Sequence, residues 1–178
     1  MKEKTIKTNS VYHSNFLTIV EDEVLLTNQR ISKRIVVKHS GASAILPITK
    51  DGHLVLVKQY RYPINQVTIE VPAGKLNEGE DPLLCALREC EEEAQIRPER
   101  TKHIYSIHNC LGYSDEIIHL YIGYGAEVVK DPLEKDPDEF FEINHYTKKE
   151  VRTLLESHQV TDAKTIILLQ YYLDADES

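Results

Sequence analysis

The chain has no tryptophan, one methionine, three phenylalanines and three cysteines among 178 residues. Cys85, Cys90 and Cys110 are odd in number and include no C-x-x-C pair. Neither a zinc ribbon nor a disulfide framework follows from them, and buried free thiols are expected. No apolar run approaches the roughly 20 residues that a spanning helix needs. The opening MKEKTIKTNS carries basic residues without an apolar core behind them, so it does not fit a signal peptide, and a cytoplasmic location is expected. Positive charge is also short: 21 Lys and Arg stand against 29 Asp and Glu, a formal net charge of -8. Broad binding to nucleic acid or to an anionic membrane needs a positive footprint and is not expected. A small anionic substrate stays open, provided that a metal ion intervenes. Repeats, low-complexity tracts and Pro/Gly/Ser linkers are missing as well, which suits one domain or one domain with an appended arm.

What is present reads first as strands. Residues 23–28 and 31–39 form a predicted hairpin with Asn28-Gln29 near its turn. ASAILPIT (42–49) and HLVLVKQY (53–60) flank Lys50-Asp51-Gly52, and Asp-Gly between two β-branched runs is a strong hairpin signal. TIEVPA (68–73) reads as one further strand. Then Asp81 can cap a helix, Pro82 fits its first position, and Leu83, Leu87, Cys90 and Ala94 recur at helical spacing as its core side. Further strands fall around 103–108, 117–124 and 140–145, followed by helices over 148–157 and 163–173, the last capped by Asp162. Many strands, a helix, more strands and two helices fit a mixed sheet covered by helices, α+β or an α/β/α sandwich, rather than a bundle or a barrel.

The predicted helix crowds four glutamates between Glu89 and Glu93. Spacings of three and four bring Glu89, Glu92 and Glu93 onto one face. At ~6 Å and an effective dielectric near ~20, each like-charge pair costs roughly 3 kcal/mol. Full exposure lowers that to a few tenths. Two explanations fit: a solvated acidic face, or a magnesium or manganese site, because hard divalent cations take carboxylate oxygens. The helix alone leaves both open. Glu91 points away from that face and is expected to be merely exposed.

The wider spacing decides between them. Gly74, five residues, Glu80, seven residues, Arg88-Glu89, two residues and Glu92-Glu93 resemble the Nudix box, G-x5-E-x7-R-E-U-x-E-E-x-G-U. Six such fixed positions coincide by chance roughly once in ten million starts. Gly74 would let the chain turn sharply between strand and helix. Arg88 can reach Glu80 and hold the loop against the helix. The flanks, VKQYRYPINQVTIEVPAGKL (57–76), GYSDEIIHLY (112–121), DEFFE (138–142) and DAKTI (162–166), resemble the ADP-ribose pyrophosphatase branch of that family, so the likeness covers roughly residues 12–173.

That resemblance implies a Nudix-type α/β/α sandwich over 42–178, plus an N-terminal antiparallel β arm over 1–41 exchanged across a homodimer. It implies hydrolysis of the diphosphate bond in ADP-ribose or another nucleoside diphosphate sugar, giving a nucleoside monophosphate and a sugar phosphate. Magnesium, with manganese as the alternative, would be held by Glu89, Glu92, Glu93 and the carbonyl of Ala73. Arg88 would support catalysis, while Gly74 and Glu80 shape the motif. Arg34, Arg61 and Gly112 would meet the substrate, Arg61 through its phosphates. Glu139 would assist the attacking water, with Asp138 and Glu142 close by in the same run. A module that binds or senses a nucleotide sugar without turning it over is the alternative. The complete set of box glutamates and the lack of a basic helix-turn-helix favour the enzyme.

The chain departs from the family pattern at several points. Cys90 replaces an aliphatic residue and should pack as a small hydrophobe. Gln95 stands where glycine serves a left-handed cap, a conformation glutamine adopts less readily. Ile35 replaces a glutamate that helps to hold the base, and Leu111 replaces a proline. Without tryptophan, Tyr12 or another of the ten tyrosines would have to stack on adenine. The base pocket therefore discriminates less well, and other nucleoside diphosphate sugars are candidates.

Overall fold

Alternation of apolar and polar residues builds the first of two compact units. The computed structural model describes residues 1–14, 17–134 and 140–175. The first unit comprises Met1–Gly41 and His108–Ile117. It is a three-stranded antiparallel sheet of β1 (Lys4–His13), β2 (Thr18–Leu25) and β3 (Ile31–Lys38). Val20 and Val24, on alternate positions of β2, are buried, while the outer strands stay largely exposed. The hairpin expected around Asn28-Gln29 is present, but its first strand is Thr18–Leu25 rather than 23–28, and Gln29 in the turn takes a positive φ of 65°. Within this unit Asp115 accepts from Lys38 and from the His39 N–H, and Ser114 bonds the Val37 carbonyl, so 108–117 is tied to β3.

The second unit comprises Ala42–Ile107 and the chain from Ile118 onward. Its strands are β4 (Ala42–Thr49), β5 (Leu54–Arg61), β6 (Gln66–Glu70) and β7 (Ala73–Lys75), then, after helix α1 (Pro82–Ala94), β8 (Ile96–Arg97), β9 (Arg100–Ile107), β10 (Ile118–Val128) and β11 (Glu142–Tyr146). Helices α2 (Lys148–Glu156) and α3 (Ala163–Ala175) follow. The central path is β11-β5-β4-β10-β8, with β6 on β5, β7 on β4 and β9 on β10. Only β4 and β10 run parallel, which makes the sheet mixed.

The central strands are apolar at nearly every position because both faces are covered. Ile45, Val55, Val57 and Tyr121 join Ala86, Cys90 and Ala94 of α1 on one face. Ala44, Leu46, Leu54, Leu56, Leu120 and Ile122 meet Val151 of α2 and Leu168, Leu169 and Tyr172 of α3 on the other. This is the α/β/α layering expected from the element order. Among the described residues no helix is long and apolar enough to cross a membrane.

Two strand assignments change in this second unit. TIEVPA is not one strand but the end of β6 and the start of β7. Pro72 lacks an N–H, and the chain crosses there from pairing with β5 to pairing with β4. The Pro72 carbonyl is nonetheless used, accepting from the Ile45 N–H at 3.0 Å. The strand expected near residue 140 begins at Glu142.

Candidate active site

The site grows from the junction of β7 and α1. Asp81 starts the helix by accepting from the backbone N–H groups of Leu83 and Leu84, with Pro82 at the first position. Leu83 and Leu87 are half-buried, whereas Cys85, Ala86, Cys90 and Ala94 are fully covered. The helix is therefore packed on two sides. One side meets the sheet. The other is the line Cys85, Glu89, Glu93, spaced four apart, which faces β7.

Each residue on that line touches β7 backbone. The Cys85 thiol lies 3.5 Å from the Lys75 carbonyl. Glu93 Oε2 accepts from the Ala73 N–H at 3.1 Å. Glu89 presses on Gly74 so closely that a Cβ there would fall 1.9 Å from Oε1. This corrects the role expected for Gly74. It takes no left-handed turn conformation; it sits in a strand, paired with Ser43, and is glycine because the Glu89 carboxylate occupies the place of a side chain. Glu89 and Glu93 are only 8% and 4% exposed, so the acidic face is not simply solvated.

Arg88 holds more than Glu80. Its Nε and Nη2 donate to the two oxygens of Glu80 at 2.9 and 3.0 Å, the fork-to-carboxylate geometry that guanidinium favours. Its Nη1 donates to Glu89 at 2.6 Å and to Glu92 at 2.9 Å, and Nη2 also reaches the Lys75 carbonyl. The Glu80 hydrogen bonds, above all, hold the guanidinium firmly protonated. Burial pushes the neighbouring Cys85 thiol up to about 12, so it is inert as a nucleophile.

Three carboxylates, Glu80, Glu89 and Glu92, thus bond one bridging guanidinium, and Glu93 lies one turn beyond Glu89 on the same helix. Nη1 of Arg88 lies between Glu89 and Glu92, and among the described residues no three metal-capable side chains already converge on one point. The donor set nevertheless fits a hard divalent cation. It consists of carboxylate oxygens on one helix face, two of them from buried residues, with the excess negative charge that such an ion would neutralise.

Glu91 is a correction. It is 7% exposed rather than free in water. Its Oε1 accepts from the Leu133 N–H at 3.2 Å, and Oε2 lies 3.7 Å from Arg97. The chain after β10 folds back over that side of the helix and covers it. Gln95 also behaves better than its residue type suggests: it takes the left-handed cap at φ 57°, ψ 27°, and its N–H bonds the Glu91 carbonyl. Cys90 is fully buried among apolar neighbours, as expected.

A second cluster stands at the end of β5. Arg61 Nε and Nη2 donate to the two oxygens of Glu70, both at 2.7 Å. Thr68 Oγ1 adds 2.6 Å to one oxygen and Lys164 Nζ adds 2.6 Å to the other. Lys164 also pairs with Asp162 at 3.0 Å, and Asp162 caps α3 through the N–H and hydroxyl of Thr165. Burial alone would raise the Glu70 carboxyl, but Arg61, Lys164 and Thr68 outweigh it and bring it down to about 2. The Glu70 hydrogen bonds, above all, hold Arg61 protonated, with a smaller effect from the charge of Glu93. Glu70 and Lys164 are not singled out by the sequence. For Glu70 a signal existed: it shares strand parity with buried Thr68 and lies nine positions from Arg61.

The remaining predicted residues are placed as follows. Arg34 belongs to the first unit, where its Nε and Nη2 grip Glu3 at 3.0 and 2.6 Å. Gly112 lies in the same unit, in a turn closed on the Cys110 carbonyl, and a Cβ there would meet open space. Glu142 opens β11 and pairs with Lys58 at 3.0 Å. Asp138 and Glu139 lie outside the described residues.

Comparison with known proteins gives the lineage. The chain is 37% identical over 171 residues to an ADP-ribose pyrophosphatase of Bacillus subtilis (strain 168), covering 96% of this chain and 92% of that one. It is 39% identical over 170 residues to a methanol dehydrogenase activator of Bacillus methanolicus, with the same coverage of 96% and 92%. A crystal structure of an ADP compounds hydrolase superposes with a TM-score of 0.82 over 99% of this chain and 96% of that one; at 18% identity it speaks for the fold. The family profile described as NUDIX domain matches residues 37–169, the stretch that holds β4 through most of α3 and the whole glutamate helix, and the chain belongs to that family.

Proposed function

We propose that this protein is a NUDIX pyrophosphohydrolase that cleaves the diphosphate bond of ADP-ribose or another nucleoside diphosphate sugar, giving a nucleoside monophosphate and a sugar phosphate. The observation that carries this reading is the Glu89, Glu92, Glu93 face, seated so tightly on β7 that only glycine fits opposite Glu89. The pyrophosphatase relative named above supports the substrate class. Glu89, Glu92 and Glu93, with the Ala73 carbonyl, would hold the cation, magnesium with manganese as the alternative. That ion, when bound, supplies Lewis acidity at the diphosphate. Arg88 keeps Glu89 and Glu92 in place through Nη1 while anchored on Glu80. Arg61 offers its remaining donors to a phosphate. Water attacks phosphorus, the bridging P–O bond breaks, and a carboxylate takes the water's proton, Glu139 being the residue that family resemblance assigns to this step. Arg34 and Gly112 remain proposed substrate contacts on the same ground.

The test is turnover of ADP-ribose, ADP-glucose and GDP-mannose with varied magnesium and manganese, read by product formation. Glu93→Gln keeps an acceptor for the Ala73 N–H and should fold, yet lose cation-dependent hydrolysis by at least roughly 100-fold. Activity within a few-fold of the parent would remove Glu93 from the site. The relative named as an activator supports a second reading, a nucleotide-sugar sensor acting on another protein. That reading expects binding without turnover and without added metal. The homodimer belongs to the proposal as well, supported by Ile6, Val11, Ile31 and Ile35 exposed on β1 and β3, and sedimentation would test it.

A further inference from the structure

We infer that Glu70 is the positioning residue for Arg61, and that the start of α3 serves the phosphate-binding end of the site through Lys164. The inference rests on the hydrolase reading for what Arg61 binds, but its geometry stands by itself. An ionised carboxylate has about four lone-pair sites. In Glu70 all four are taken: Oε1 by Arg61 Nε and Thr68 Oγ1, Oε2 by Arg61 Nη2 and Lys164 Nζ, at 2.6–2.7 Å. The residue is 2% exposed. A carboxylate so saturated has no capacity left to ligate a cation or to take a proton from water. Its whole effect falls on the groups that donate to it.

The guanidinium presents the complementary picture. Of its five N–H donors, Glu70 takes one on Nε and one on Nη2, which leaves three, two on Nη1 and one on Nη2. The Arg61 side chain remains 42% exposed although its partner is buried. Two parallel hydrogen bonds fix the plane of the fork as well as its position, so the free edge points in one direction. Lys164, itself 9% exposed, supplies a second cation to Glu70 and so shares the carboxylate with Arg61. Asp162 holds Lys164 and caps α3 through Thr165, whose hydroxyl accepts from the Val71 N–H next to Glu70. Residues 94 positions apart in sequence therefore set the direction of one arginine.

A double-mutant cycle decides between positioning and a merely structural ion pair. Glu70→Gln, Arg61→Ala and their combination are measured for KM and kcat on ADP-ribose with magnesium, and for the Kd of magnesium pyrophosphate by calorimetry. Thermal unfolding confirms that each variant is folded. Glu70→Gln should raise KM and the pyrophosphate Kd roughly tenfold to a hundredfold with kcat little changed. In the Arg61→Ala background the same change should add less than about twofold, because nothing is left to position. Losses that multiply in the two backgrounds, or an unchanged KM and Kd, would overturn the assignment. If Glu70→Gln does not fold, Thr68→Val removes one donor without altering charge, and the cycle is run with it for an expected change of roughly threefold. Failure of the parent protein to turn over any nucleotide sugar would reject the hydrolase reading, while the pyrophosphate cycle would still decide the role of Glu70. A parent that does not bind pyrophosphate rejects both.

Discussion

Gly74→Ala offers a sharp test because the added methyl has one defined collision. The new Cβ would lie 1.9 Å from Oε1, 2.1 Å from Cδ and 2.5 Å from Oε2 of Glu89. Ordinary contact begins at 3.4 Å, so the carboxylate must retreat by 3.4 − 1.9 = 1.5 Å. The strand cannot easily give way instead, since Gly74 is paired with Ser43 and its neighbours with Ala42 and Ala44. Glu89 therefore moves, and its 2.6 Å bond to Arg88 breaks or follows it. Overpacking of this kind costs about 1–3 kcal/mol of stability. Displacing a proposed cation ligand by more than an ångström should lower kcat/KM by on the order of 100-fold. Magnesium titrations of ADP-ribose hydrolysis read the second effect and urea unfolding the first. In a Glu89→Ala background the methyl meets no carboxylate, and the stability cost of Gly74→Ala should shrink to within about 0.5 kcal/mol. If that cost persists there, or if Gly74→Ala alone keeps cation-dependent activity within about twofold, the clash is not what makes this position glycine.

Other substitutions separate structural from chemical roles along the same helix. Glu91→Ala removes the acceptor of the Leu133 N–H, a partly buried hydrogen bond, and should destabilise by about 1 kcal/mol in urea unfolding, whereas Glu91→Gln, which keeps an acceptor, should lose far less. Gln95→Gly relieves a side chain from φ 57° and should raise stability by about 1 kcal/mol. Glu70 should contribute to acid stability. Its carboxyl falls from the ordinary 4.5 to about 2 in the folded chain, so its contribution, on the order of 3 kcal/mol, is complete above pH 4.5 and drains away as pH falls towards 2. Unfolding free energy followed down that window should drop steeply in the parent and more shallowly in Glu70→Gln; parallel slopes would contradict the assignment.

The helix from Pro82 to Ala94 was legible because its signals are local. Asp81, Pro82, the apolar spacing and the carboxylates at 89, 92 and 93 all lie within a few turns, and the period of 3.6 fixes which side chains share a face. The central strands were legible for a similar reason, since apolar runs such as ASAILPIT read as strands buried on both faces. Pro72 was in plain view, yet its consequence, a change of pairing partner between β6 and β7, depends on where β4 lies.

What the sequence determined alone was the kind of chemistry: a spaced set of carboxylates and one arginine that suit a divalent cation and a diphosphate. Only the tertiary structure decided why Gly74 must lack a side chain, why Glu91 is buried, and which partners Glu70 has. Each of those depends on a backbone or side chain brought from elsewhere in the chain, β7 against the helix, Leu133 against Glu91, α3 against β6. Local periodicity says which way a side chain points, but not what stands in front of it.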